Sequence, residues 1–217
     1  PQITRLFPFA YPNFWFDIRP QCYYHNIVAL FYEERPKFMS KSKFSEVTFH
    51  ELPTDFDIFI NIAESTLNLP EKAAALFILA LRIYAVDKEL GLKMISYLRY
   101  REELEPQEIN NLLDTPLKKS GYIPLSYFKG ATPKNSYTPD EPYIITVKED
   151  GKKSLKRKYK TLYIGCPGAG IYRPITLVKV KKRKVKNKRF LGNPWFVEEY
   201  ASLTLPVPEP VQKKLKN

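Results

Sequence analysis

The sequence predicts an α+β protein: a small helical subdomain, then an antiparallel β-meander, preceded by an extended aromatic N-terminal arm. Three observations predict it. Residues 51–116 carry helix caps and helical apolar patterning. Residues 143–205 carry short β-branched and aromatic runs separated by turn formers. Residues 1–40 hold eleven aromatics between Phe7 and Phe38, interrupted by Pro8, Pro12, Pro20 and Pro36. The expected division is 1–45 for the arm, 46–130 for the helical part, 131–206 for the β part and 207–217 for a Pro/Lys tail.

In the arm, Phe14-Trp15-Phe16 has no polar alternation, so it reads as neither a half-buried strand nor an amphipathic helix. Only 24–34 is patterned enough for regular structure, and its periodicity does not choose between helix and strand. Two readings stand side by side. The arm wraps its own domain, or it docks Phe7, Phe9, Tyr11, Phe14, Trp15 and Phe16 onto a partner, where aromatic side chains bury much area at low entropy cost. The chain begins at Pro1 without a methionine, as a trimmed chain or a segment of a longer one would.

Four helices are expected next. Thr54-Asp55 after Pro53 supplies an N-cap for a helix to about Ser65. Pro70 stands at the first position of a second, where its missing N–H costs nothing. From 73 to 84 that helix is apolar nearly all round, which marks it as the buried central helix. Asp87 caps a third, running to about Arg99 with Leu90, Met94, Ile95 and Leu98 inward. Pro106 opens a fourth that ends before Pro116. The connection over 117–142 contains Pro124, Pro133, Pro139 and Pro142, which exclude regular helix. A loop of that length is functional or wrapped over a core.

The expected strands are 143–147, 159–164, 175–180 and 195–200, with 203–207 as an added edge. Consecutive short strands favour a meander. Alternate loops of a meander lie at one end of the sheet, so the loops around 150–158 and 181–189 should sit together, opposite 165–170.

Those two loops carry the charge. The 217 residues hold 35 Lys and Arg against 23 Asp and Glu, a net charge of +12. Lys152, Lys153, Lys156, Arg157, Lys158 and Lys160 lie in one acid-free stretch. Lys179, Lys181, Lys182, Arg183, Lys184, Lys186, Lys188 and Arg189 lie in the other. Without these 14, 21 basic residues face 23 acidic ones, so two short segments hold the whole excess. Like charges at that density repel one another, and an acidic partner offsets the repulsion.

No catalytic or metal constellation emerges. The cluster 165–170 is glycine-rich, but a phosphate loop needs a helix after it, and here Pro174 and a strand follow. Cys22 and His25 have a metal-like spacing that His50 and Cys166 could extend. Structural zinc sites need two tight pairs, and only one is present, so no metal and no cofactor are expected. Under an enzymatic reading, a pocket would form around Asn135 and Tyr137. Tyr159, Tyr163, Tyr172 and Phe190 lie in or near the basic stretches, a combination that binds single-stranded nucleic acid by charge plus stacking.

The longest apolar run, 73–81, falls far short of the roughly 20 residues of a spanning helix. The N-terminus lacks the layout of a signal peptide. With two cysteines and no disulfide framework, an intracellular compartment is expected, cytoplasmic or cytoskeletal. Residues 181–185 match a basic nuclear-localisation pattern, which adds the nucleus in a eukaryotic cell.

From about 49 to 206 the chain resembles an uncharacterised bacterial family, a domain of unknown function. The resemblance rests on Phe49-His-Glu-Leu-Pro53, on Ala73-Ala-Ala-Leu76 running into Leu79-Ala-Leu81 and Tyr84, and on Asp87-Lys-Glu89, Met94 to Arg99, Pro106 and Tyr122-Ile-Pro124. Its most specific part is Ser126-Tyr-Phe-Lys-Gly-Ala-Thr-Pro-Lys-Asn135 with Tyr137-Thr-Pro139 and Pro142-Tyr143. Arg173-Pro174 and Trp195-Phe-Val-Glu198 also fit. It implies a helical part followed by a small β part and supplies no activity. The aromatic arm and both Lys-rich loops depart from the family pattern. Where that family carries Gly-Ala-Asp-Ser-Pro-Arg-Pro, this chain has Gly168-Ala-Gly-Ile-Tyr-Arg-Pro174.

The expected function is a non-enzymatic component of a larger assembly. It would grip an acidic macromolecular surface, a protein polymer such as a tubulin-type lattice or ribosomal RNA, with its basic loops and aromatic arm. The alternatives are a nucleic-acid-binding protein proper and, third, a small-molecule enzyme. No membrane and no small-molecule ligand are expected.

Overall fold

The structure, a computed structural model, describes residues 42–100, 103–150, 158–185 and 189–211. These fall within one compact unit, Met39–Asn217. Helices and an antiparallel sheet share one apolar core, an α+β fold. Among the described residues no helix is long and apolar enough to cross a membrane. Residues 1–41 of the expected arm lie outside the described residues, and its last residues, 43–45, belong to the first strand of the sheet.

The sheet has five strands in sequence order: β1 (Lys43–Phe49), β2 (Tyr143–Glu149), β3 (Tyr159–Cys166), β4 (Ile171–Lys179) and β5 (Trp195–Glu199). Every neighbouring pair is antiparallel. The last four form the expected meander. β1 was not expected. Its alternation, with Phe44, Glu46 and Thr48 outward and Val47 buried, is short and sits where the aromatic arm gives way to the helical segment. It pairs in full with β2, although the whole helical segment separates the two in sequence.

α1 (Phe56–Thr66) is capped by Asp55, whose carboxylate accepts from the Ile58 amide at 2.8 Å. α2 (Pro70–Tyr84) begins on its proline and buries every side chain from Ala73 to Leu81. It lies across the inner face of the sheet and touches all five strands. Alanines at 73–75 allow the close approach, and Val47, Ile145, Val147, Leu162, Ile164, Ile175 and Leu177 face it from the strands. α3 (Lys88–Leu98) is capped by Asp87, which accepts from the Leu90 amide at 3.0 Å. Gly91 lies so close to the Tyr84 backbone that any Cβ there would overlap it.

The fourth helical segment runs past Pro116 instead of ending before it. α4 (Pro106–Glu108) passes into a π turn over Ile109–Asp114 and then α5 (Thr115–Lys119). A π turn skips one rung of the hydrogen-bond ladder, and a residue without an N–H is tolerated where a rung is already missing.

Two further differences concern the β part. β4 begins at Ile171 and so includes Pro174. β5 pairs with β4 only from Thr176 to Lys179, so Pro174 lies where β4 is an edge, the setting in which a strand admits proline. The edge strand expected at 203–207 does not form. Residues Ala201–Thr204 make a 3₁₀ turn, and the carbonyls that a strand would pair are held by side chains.

Candidate polyanion-binding end of the sheet

The meander brings the described parts of the two basic segments together. Tyr159 pairs with Val178, and the Lys179 amide donates to the Lys158 carbonyl at 2.8 Å. Beyond Lys179 the chain stays fixed. The Val180 amide donates to the Pro194 carbonyl, and the Lys182 amide to Asn193 Oδ1 at 2.9 Å. A 3₁₀ turn over Lys182–Lys184 follows, with Val185 buried beneath it. The Tyr100 hydroxyl donates to the Lys184 carbonyl at 2.8 Å, and its ring stacks on Phe196 at 4.7 Å. The cations of Lys181, Lys182, Arg183 and Lys184 therefore ride on an anchored turn.

Lys158, Lys179, Lys181, Arg183, Lys184 and Arg189 are exposed. Lys160 is half-buried and paired with Glu149 at 2.7 Å. Asp150 follows Glu149 at the end of β2, so the acids at this end are few. Aromatic faces back two of the cations: Lys158 Nζ stands 5.4 Å from the Tyr159 ring and Lys179 Nζ 5.3 Å from that of Trp195. Lys152, Lys153, Lys156, Arg157, Lys186 and Lys188 lie outside the described residues, as do Phe7, Phe9, Tyr11, Phe14, Trp15 and Phe16.

The outer sheet face carries an aromatic cluster drawn from both ends of the sheet, Phe44 from the basic end and Tyr172 from the start of β4. Phe44 of β1 is 55% exposed and Tyr172 of β4 is 45% exposed. Two strands separate β1 from β4, yet the ring centroids are 6.2 Å apart. Gly165 on β3, opposite Tyr172, makes this possible. Without a side chain it lets the Tyr172 ring lean across the strand, and a Cβ there would already touch the ring at 3.4 Å. Lys148 of β2 extends over both rings, 5.9 Å from Phe44 and 5.7 Å from Tyr172. Tyr163 and Pro174 continue the row across the sheet. Sequence reasoning noted Tyr163 and Tyr172 but missed Phe44 and Lys148, which reach them only through the β1–β2 pairing. Phe190, grouped with the tyrosines on sequence, is buried.

Asn135 and Tyr137 are committed to the loop itself rather than lining a cleft. The Asn135 side chain accepts from the Thr132 amide at 2.9 Å and donates to the carbonyls of Gly130 and Thr138 at 2.9 and 2.8 Å. Tyr137 is fully buried, its ring stacked on Tyr122 at 5.1 Å, and its hydroxyl donates to the Pro208 carbonyl. Burial pushes that hydroxyl up to about 12 from an ordinary 10.0. Tyr127 is buried and also raised by burial, and its hydroxyl donates to the Leu203 carbonyl at 2.6 Å.

Arg173 completes this arrangement. Its buried guanidinium donates to the Leu205 carbonyl at 2.6 Å, to Pro206 at 2.7 Å, to Ser202 at 3.1 Å and to the Tyr127 hydroxyl at 3.2 Å. Among the described residues its partners are carbonyls and a phenol, with no carboxylate. Together Tyr127, Tyr137 and Arg173 strap residues 201–208 over the loop.

A second polar cluster joins helices to sheet. The pairing of β4 with β5 skips Glu198, whose carbonyl accepts from Arg99 at 2.8 Å. Arg99 Nε lies 3.0 Å from Glu108 Oε1, with side chains only 7% and 12% exposed, and the guanidinium covers the Tyr200 ring. Cys166 is buried with its sulfur 3.2 Å from Ser126 Oγ, and His50 is exposed. Cys22 and His25 lie outside the described residues.

No curated protein and no solved structure matches the chain. The model of one family, a domain of unknown function designated DUF6935, matches residues 51–211. The match takes in the helices, the strapped loop, four of the five strands and the segment under Arg173, and stops short of β1. With that match spanning most of its length, the chain belongs to the DUF6935 family.

Proposed function

We propose that this chain is a non-enzymatic binding component of a larger assembly, gripping an acidic macromolecular surface through the basic end of its sheet. The observation that carries the reading is the junction of Lys158 with Lys179, which brings the described ends of two acid-free basic segments together beside the anchored turn of Lys182–Lys184. Charges held within a Debye length, about 8 Å at physiological salt, attract a polyanion as one patch. The buried polar groups have internal partners in the strap and in the Arg99–Glu108 cluster, which favours binding over chemistry. The reading places the protein inside the cell, in the cytoplasm or on the cytoskeleton.

The test uses heparin and polyglutamate as polyanion probes. Replacing Lys158, Lys179, Lys181, Lys182, Arg183 and Lys184 with Ser should lower the salt needed for elution from heparin. It should also weaken binding to both probes most at low salt. Thermal unfolding should stay close to wild type, because exposed loop changes cost within about 0.5 kcal/mol each. Equal binding by variant and wild type across a salt titration would reduce this end to ordinary solvated surface.

A further inference from the structure

We infer that the outer sheet face is a stacking platform for single-stranded nucleic acid, with Phe44 and Tyr172 taking bases and the adjoining basic end taking phosphates. This rests on the polyanion reading above and names the partner class for it.

The observations converge on one ligand chemistry. Antiparallel sheets often leave one face to water, and that face is normally polar. Here it carries two large rings, each about half exposed, packed edge to face with their planes inclined at 61°, Tyr172 leaning over Gly165. The ammonium of Lys148 stands above both. A purely apolar partner covering the rings would bury that ammonium without a counter-charge, at considerable cost. A nucleotide supplies both needs at once: a flat base for the ring and a phosphate for the ammonium. Of the acids on this face, Glu46 lies 3.4 Å from Lys129 Nζ and is partly neutralised there, and Glu199 accepts from the Thr176 hydroxyl at 3.4 Å at the β5 edge.

The geometry also gives the strand a direction. Phe44 pairs with Lys148, Lys148 with Tyr163, and Tyr163 with Pro174, so the row crosses four strands. Tyr163 is four residues from Tyr159, about 13 Å along β3. Lys158, Lys179 and Lys181 stand at that end. A chain whose bases stack on the row can thus run its backbone onto the basic patch. Stacking accepts any base, so binding tolerant of sequence is expected.

The experiment measures anisotropy of a labelled oligouridylate, an abasic phosphodiester oligomer of equal charge, and polyglutamate, with the full chain. The oligouridylate should bind more tightly than the abasic oligomer. Phe44→Ser and Tyr172→Ser should each weaken oligouridylate binding by about 5- to 150-fold, with abasic binding unchanged. Tyr172→Phe, which keeps the ring, should bind as wild type and serves if the serine variant does not fold. Equal binding of all three probes, unaffected by Tyr172→Ser, would overturn the platform and leave the polyanion reading standing. A preference for polyglutamate would replace the nucleic acid with an acidic protein surface. Failure of the wild type to bind any probe would overturn both.

Discussion

Tyr137 is fully buried with a left-handed backbone, φ 59°, an unusual combination for a tyrosine. The stack on Tyr122 and the hydrogen bond to Pro208 hold it there. Because burial raises its hydroxyl from 10.0 to about 12, folding favours the neutral form. That stability is fully present below pH 10 and is lost as pH rises towards 12, on the order of 2 kcal/mol. Tyr84, Tyr127 and Tyr200 are shifted the same way, in each case mainly by burial. Denaturant melts should therefore show stability falling steeply across this window, with phenolate absorbance appearing together with unfolding. Tyr137→Phe should cost about 1 kcal/mol at neutral pH and make the alkaline loss shallower. An unchanged slope would mean that Tyr137 ionises freely in the folded protein.

At the scale of elements, the segment 201–208, a 3₁₀ turn followed by unpaired chain, is held chiefly by side chains from β4 and from the 117–142 connection. Arg173 is the centre of that strap, with three carbonyls on one guanidinium. Arg173→Met fills similar volume but leaves those carbonyls without their donor. The carbonyls are only part-buried, so water replaces some of the lost donors; with a hydrogen bond to a charged group contributing about 1.5–3 kcal/mol, a loss of about 2–3 kcal/mol is expected. Hydrogen exchange should rise first in 201–211, ahead of the sheet. Uniform exchange across the molecule would instead show that the segment is integral to the core. The loop motif was legible as specific, but its purpose was not. Asn135 and Tyr137 look like pocket residues because polar and aromatic side chains in a long loop fit either role. Only their partners, up to 71 residues away, assign them to structure.

For the molecule as a whole, the same charge that attracts a partner strains the free protein. The described ends of two basic segments meet at Lys158 and Lys179, and repulsion among their cations favours separation. Salt screens that repulsion, so the melting temperature should rise with sodium chloride between low and physiological strength. A repulsion on the order of 1 kcal/mol corresponds to about 2–4 °C for a domain of this size. Scanning calorimetry at a series of salt concentrations checks it. The six-site Ser variant described above should show a smaller rise. A melting temperature independent of salt in both proteins would mean that the loops' cations are already neutralised within the chain.

The sequence by itself determined the helices, their caps and the meander, because these are local. Asp55 and Asp87 reach an amide three residues on, Pro70 sets its own dihedral, and a meander joins nearest neighbours. Strand parity also brought Lys158 next to Lys179, the described ends of the two basic segments. What the tertiary structure alone decided are the long-range pairings. β1 joins β2 across the whole helical segment, and that pairing delivers Phe44 to Lys148 and Tyr172. Pro116 sits inside a helix because a π turn precedes it, and 203–207 forgoes pairing because Arg173 and Tyr127 take its carbonyls first. The β1 pairing and the course of 203–207 each depend on a partner distant in sequence, and no pattern within a local window encodes which partner will arrive.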